Sequence, residues 1–222
     1  MNPGLLVVLE GPEGAGKSTQ AARISALLEA NRIPHLLLRE PGGTTAGEEI
    51  RNLLLDSSSD LAPETECLLF LASRAELVRR VLRPALDEGR VVVLDRFFLS
   101  TYAYQIGGRG LDEELVRAGN ALATAGLKPD ITLLLTIDPR AGLERAARRG
   151  ETDRMEMTGN DFHQRVAASF ALFGTAEWQR RHPECGEIVS IDASRSASEV
   201  FDDISRELQK CWPTRLAVRS NA

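Results

Sequence analysis

The sequence predicts an α/β fold, a five-stranded parallel sheet with helices on both faces, on three observations. Five short apolar runs alternate with segments of helical periodicity. Most of these runs are apolar at consecutive positions rather than at every second one, as strands buried on both faces must be. The runs also end abruptly, the first at Gly11-Pro12 and two others at an aspartate. Parallel strands joined through helices imply right-handed crossovers.

Leu5 to Leu9 is the first strand, and a helix is expected from Lys17 to about Ala30, where Ala21, Ile24, Leu27 and Leu28 recur at helical spacing. Pro34 to Leu38 reads as the second strand, with Glu40 to Thr44 as a loop. A long helix is expected from Pro63 to about Arg83, since Pro63 suits a first turn and Cys67, Leu71, Ala75, Val78 and Leu82 form one apolar stripe. Pro84 marks its end or a kink. Val91 to Leu94 and Ile131 to Ile137 are the next strands, followed by Asp95-Arg96 and Asp138-Pro139. Residues 140–149 read as helix up to a break at Gly150, and residues 160–182 as a helix holding Val166, Phe170 and Phe173. Glu187 to Ile191 is the last strand and Ser196 to Cys211 the last helix. Trp212 to Ala222 has no periodicity and is expected to be a flexible tail, leaving one domain over residues 1–211.

The 222 residues carry 27 basic and 32 acidic side chains, a net charge of -5, which argues against a surface that coats nucleic acid or anionic membrane. Only Lys17, Lys128 and Lys210 are lysines; the remaining basic residues are arginines. No apolar stretch is long enough to span a bilayer. Cys67, Cys185 and Cys211 are far apart and match no zinc or disulfide pattern, so free thiols are expected. With no basic leader before the first strand, a cytoplasmic location is expected.

Between the first strand and the first helix stands Gly11-Pro12-Glu13-Gly14-Ala15-Gly16-Lys17-Ser18, a full GxxxxGK[ST] match. Such a loop turns its backbone N–H groups toward phosphate oxygens at a helix N-terminus. Its lysine reaches the β and γ phosphates and its hydroxyl meets Mg²⁺. At this composition about 0.002 chance matches are expected, so the motif signifies nucleotide binding. With Thr19 following, Gly11 to Thr19 is the expected ATP-binding segment. No guanine-reading NKxD tetrapeptide occurs. Asp95 and Asp138, both at strand ends, compete as the carboxylate beside Mg²⁺, and either could be a helix cap instead. Arg140, Arg145, Arg148, Arg149 and Arg154 surround Gly150, and Arg145, Arg148 and Arg149 share one helix face. They suit a lid over about residues 140–160 that brings charge to a phosphoryl transition state.

Taken with Arg39-Glu40-Pro41-Gly42-Gly43-Thr44, Phe70 to Arg74, Asp95-Arg96 through Gln105, and Gly107-Gly108-Arg109-Gly110, the chain resembles the bacterial thymidylate kinases over about residues 5–205. The resemblance implies ATP-dependent conversion of dTMP to dTDP with Mg²⁺, usually by a homodimer, and a homodimer is expected to use an apolar face of the helix from Pro63. It implies that Glu13 meets the sugar 3′-hydroxyl and that Arg39 and Arg96 hold the acceptor phosphate. Phe70 would stack on thymine, Arg74 would donate to O4, and Ser100, Thr101 and Gln105 would read the base edge. Tyr104 would crowd the sugar 2′ position. Phe70 and Arg74, four residues apart, share a helix face, and arginine only donates, so it meets thymine O4 but not cytosine's amino group.

The chain also resembles the type in which Gly14 replaces a catalytic arginine and the arginine sits in the lid. Lys17, Arg96, Asp95 and a lid arginine, Arg145 or Arg149 foremost, are then the catalytic set, with Ser18 and Asp95 at the metal. Phe97, Phe98 and Ile106 depart from the family pattern. A kinase for another nucleotide or nucleoside, or an ATP-binding regulator, are the rival readings.

Overall fold

The computed structural model describes residues 4–148, 154, 155 and 158–213. Five strands, β1 (Leu5–Glu10), β2 (His35–Arg39), β3 (Val91–Asp95), β4 (Ile131–Thr136) and β5 (Glu187–Asp192), form one sheet in the order β2-β3-β1-β4-β5, and every pairing is parallel. The helices are α1 (Lys17–Ala30), α2 (Thr45–Leu55), α3 (Pro63–Leu77), α4 (Arg83–Asp87), α5 (Phe98–Thr101), α6 (Glu113–Thr124), α7 (Pro139–Ala147), α8 (Asn160–Phe173), α9 (Ala176–Arg181) and α10 (Ala197–Cys211).

Side chains alternate across a strand, and the apolar runs accordingly feed two cores. Leu6, Val8, Val92, Leu94 and Leu134 pack with Cys67, Leu71, Leu77, Val116 and Phe170 of α3, α6 and α8. Leu5, Val7, Val91, Val93 and Leu133 pack on the other face with Ala21, Ile24 and Leu28 of α1 and Val200, Ile204 and Leu208 of α10. The chain leaves β1 for one face through α1 and leaves β3 for the other through α6. A crevice therefore opens between the C-terminal ends of these neighbouring strands, where open α/β sheets bind ligands.

All five strands appear where the sequence places them, with no boundary shifted by more than one residue. Three expectations are corrected. Of the two expectations at Pro84, an end or a kink, the end is excluded: a π-helical turn at Val78–Leu82 lets Arg83 N–H reach the carbonyl of Val78, and α4 continues to Asp87. The wider turn spaces the ladder so that a residue without an N–H can follow. The segment 160–182 is two helices, because Gly174 ends α8 and the Thr175 side chain, accepting from Trp178 N–H, caps α9. The third, α2, lies in a stretch where no helix was expected, started by Thr44 accepting from Gly47 N–H at 2.9 Å. Trp212 packs partly against the α1/α10 core rather than opening the expected tail. The rest of that tail, 214–222, lies outside the described residues.

Candidate active site

One cavity of about 650 Å³ runs along the C-terminal ends of the strands. Arg39 and Glu40, at the end of β2, line one end, and Ala193, Arg195 and Ser196, just after β5, line the other. Crossing from the outer strand on one side to the outer strand on the other covers four spacings of about 4.8 Å, roughly 19 Å. That length takes two nucleotides end to end.

The middle of the cavity is the glycine-rich loop. No side chain caps α1, so the N–H groups of its first turn remain available to an anion. Lys17 Nζ folds back onto the carbonyls of Gly11 and Pro12 at 2.9 and 2.8 Å. Burial, and then the nearby charge of Arg96, lower its pKa from 10.5 to about 7. Ser18 Oγ donates to Asp95 Oδ2 at 2.6 Å, while the buried Asp95 Oδ1 has no partner among the described residues. An unfilled carboxylate oxygen beside a serine hydroxyl suits a cation bound mainly through phosphate oxygens. Asp138 does not share this role: it caps α7, accepting from Arg140 and Ala141 N–H at 3.0 and 3.1 Å.

Gly14 has φ of 71°, and a Cβ there would meet the Gly142 carbonyl oxygen of α7 at 1.9 Å. A Cβ on Gly142 would in turn meet the Glu13 carbonyl at 2.6 Å. The loop and α7 thus meet backbone to backbone, and this contact leaves position 14 no room for an arginine.

Arg96 sits between the two halves with a left-handed φ of 74°, a conformation held for a non-glycine residue only by surrounding structure. The holder is Glu10, fully buried at the end of β1, which accepts from Phe97 N–H at 2.7 Å, Ser100 N–H at 3.1 Å and Ser100 Oγ at 2.6 Å. Ser100 Oγ accepts from Arg96 at 3.0 Å, and the guanidinium lies 5.4 Å from the Tyr104 ring centroid. The Ser100 hydroxyl expected at the base edge is therefore bonded to Arg96 and Glu10.

Toward β2, Phe70, Arg74, Thr101, Tyr104 and Gln105 line the cavity together, joined by Arg51, which donates to the Pro41 carbonyl at 3.0 Å. Arg39, on the same wall, pairs with Glu48 at 3.2 Å. The Tyr104 hydroxyl donates to Glu13 Oε1 at 3.1 Å, and Glu13 Oε2 is buried without a partner among the described residues. Burial raises the Tyr104 pKa, so this hydroxyl is a donor at any ordinary pH.

Arg74 is only 2% exposed. Four of its five N–H groups are occupied, donating twice to Glu40 Oε2 at 2.9 and 2.6 Å, to the Phe97 carbonyl at 2.8 Å, and to Asn120 Oδ1. The second hydrogen on Nη1 remains for a ligand. Its guanidinium lies 4.8 and 5.7 Å from the ring centroids of Phe97 and Phe98, so the two phenylalanines that depart from the family pattern form its bed. The Glu40-Pro41 peptide beside it is cis.

A family model described as thymidylate kinase matches residues 9–204, from within β1 to within α10. The chain belongs to the thymidylate kinase family. It is 47% identical to the thymidylate kinase of Deinococcus radiodurans over 204 residues, 92% of this chain and 96% of that one. The thymidylate kinases of Carboxydothermus hydrogenoformans and Desulfosudis oleivorans are each 48% identical over 93% of this chain and 97% of theirs.

In this member of the thymidylate kinase family the arginines expected in a lid separate by position. Arg145 lines the cavity and donates to the carbonyls of Ala193 and Ser194 at 2.8 and 3.0 Å, at the β5 end. Arg154 turns the other way, to the Leu54 carbonyl at 2.8 Å and Glu66 Oε2 at 2.7 Å. Arg148 is exposed at the end of α7, and Arg149 lies outside the described residues.

Three carboxylates that shape the site escaped the sequence reading: Glu10, Glu40 in its pairing with Arg74, and Glu66. Only Glu10 left a signal, a charge closing an otherwise apolar run directly before a glycine.

Proposed function

We propose that the protein transfers the γ-phosphoryl group of ATP to the phosphate of dTMP, giving dTDP and ADP by direct in-line displacement. The observation that carries the reading is the single cavity joining the glycine-rich loop to the Phe70, Arg74 and Gln105 wall. Family membership supports it, as do the names of the relatives.

In this reading ATP lies from the β5 end, beside Arg145 and Ser196, with its phosphates on the loop N–H groups and Lys17. The acceptor base lies on Phe70, with the free Arg74 hydrogen facing thymine O4. The sugar 3′-hydroxyl meets the unpartnered Glu13 oxygen, and Tyr104 crowds the 2′ position. Arg39 and Arg96 hold the acceptor phosphate. Its oxygens are already anionic near neutral pH, so no strong base is needed, and the residues act by positioning and by charge stabilisation. Ser18 and Asp95 would hold Mg²⁺, whose charge would offset that of the phosphate oxygens. A lid over about 140–160 would exclude water, with Arg145 or Arg149 reaching the transferred group.

The proposal includes a homodimer. Leu68 of α3 and Leu115 and Leu122 of α6 are 65%, 75% and 84% exposed, apolar surface on two helices in contact that a second copy would cover. It also places the enzyme in a reducing cytoplasm, where Cys67, Cys185 and Cys211, free in this structure, stay reduced. No helix among the described residues is long and apolar enough to cross a membrane.

The test is product formation. Purified protein with ATP and Mg²⁺ is offered dTMP, dUMP, dCMP and thymidine, and nucleotides are resolved chromatographically. Fastest conversion of dTMP, with ADP in equal amount, is expected. No dTDP, or faster turnover of another acceptor, overturns the assignment.

A further inference from the structure

Glu66 does not touch the cavity, yet it is fully buried on α3 and accepts four hydrogen bonds. Gln105 Nε2 donates to its Oε1 at 3.1 Å, Arg109 donates at 3.0 and 2.8 Å, and Arg154 at 2.7 Å. These donors come from three places in the chain: the π-helical segment Tyr102–Gly108, the turn after it, and Arg154 between α7 and α8. The two arginines hold the Glu66 pKa below its usual value despite burial, so the carboxylate is charged and can only accept.

An amide has a donor end and an acceptor end. Gln105 is 2% exposed and lines the cavity beside Phe70 and Arg74. Its nitrogen must face Glu66, since the reverse orientation would set its oxygen against a carboxylate. The oxygen is then the end left for a ligand. A pyrimidine that carries hydrogen on N3, thymine or uracil, offers a donor there, whereas cytosine offers a lone pair.

We propose that Glu66 is a specificity-determining positioning residue: by holding the Gln105 amide in one orientation, it selects acceptor bases that carry a hydrogen on N3. This rests on the proposed function, and the two can fail separately. Glu66→Gln supplies an amide in place of the carboxylate, so Gln105 is free to turn and present its nitrogen to the cavity. The ratio of kcat/KM for dTMP over dCMP is expected to fall about tenfold or more. The dTMP over dUMP ratio should stay put, because the two bases share N3–H and differ at the methyl group. The KM for ATP should also be unchanged.

The charge swap E66Q/Q105E puts a group that only accepts at the cavity and keeps one carboxylate in the pair, with the new amide at position 66 able to donate to it. It is expected to recover the dTMP over dCMP ratio. An unchanged dTMP over dCMP ratio in Glu66→Gln overturns the proposal. So does a parallel change in dTMP over dUMP, which would mark general damage to the pocket. If Glu66→Gln cannot be purified folded, the swap decides: a preference at the wild-type level supports the proposal and a tenfold lower one overturns it. Wild-type protein inactive on dTMP would instead defeat the proposed function.

Discussion

Replacing Arg74 by alanine is expected to damage folding as much as recognition, and the two can be separated. In the native protein the Glu40 carboxylate is buried against the guanidinium, and one of its oxygens has no partner among the described residues. Burial already raises the Glu40 pKa, and the Arg74 charge opposes that rise. Removing the arginine leaves a buried carboxylate alone, takes the donor from Asn120 Oδ1 and leaves the Phe97 carbonyl with only a long bond from Thr101 N–H at 3.5 Å. Breaking one side of a buried pair costs about 3–5 kcal/mol. For a domain of this size that lowers the melting midpoint by roughly 12 °C.

Urea or thermal unfolding at pH 7.5 measures the loss, and the double variant E40Q/R74A should recover about half of it, because a neutral amide tolerates burial better. The sign of the pH dependence follows from the raised pKa. The folded state holds the Glu40 proton more tightly than the unfolded chain, so stability falls as pH rises above the ordinary carboxylate range. The Arg74→Ala penalty should therefore be smaller at pH 5 than at pH 8. A loss under about 1 kcal/mol, or no recovery on adding Glu40→Gln, would refute the reasoning. Base selectivity is best compared between E40Q and E40Q/R74A, which differ only in the donor.

Lys17, with a pKa of about 7 in the free protein, should regain its proton when a phosphate arrives; calorimetry at pH 8 in buffers of differing ionisation enthalpy should show nearly one proton taken up with Mg·ATP, and at pH 5.5 almost none. Ser100→Ala removes the acceptor that steers Arg96 and is expected to lower kcat about tenfold with little change in KM for ATP, read by steady-state kinetics. Gly14→Ala should raise the KM for ATP and lower the melting midpoint, since both its φ and the Gly142 carbonyl oppose a side chain. Gly110→Ala, with a similar φ of 75° but open space around it, should cost only about 1 kcal/mol and leave ATP binding intact.

What was legible in the sequence was local. The GxxxxGK[ST] spacing places Lys17 and Ser18 without any tertiary knowledge, and the four-residue step from Phe70 to Arg74 sets both on one wall. The acidic network was not legible, because its partners are distant: 34 positions separate Glu40 from Arg74, 43 separate Glu66 from Arg109, and 87 separate Glu10 from Phe97. Nothing in a one-dimensional pattern distinguishes Glu40 or Glu66 from a solvated glutamate, and Glu10 is marked only by closing an apolar run before a glycine. Helix α2 was missed because only Gly47 and Leu54 of its eleven residues are buried, too few to set up a periodic stripe. The break at Gly174 did have a signal, a glycine followed by a capping threonine, which the apolar spacing of Phe170 and Phe173 concealed. The π-helical turn depends on the chain continuing through Pro84, which the sequence alone reads as either an end or a kink.

The most direct test of the end-to-end arrangement is a crystal structure of the protein with dTMP. The expected result is thymine stacked on Phe70, O4 within hydrogen-bond reach of Arg74 Nη1, N3 facing the Gln105 oxygen, and the phosphate between Arg39 and Arg96. A dTMP molecule seated instead beside Arg145 and Ser196, or with its base away from Phe70, would contradict the account.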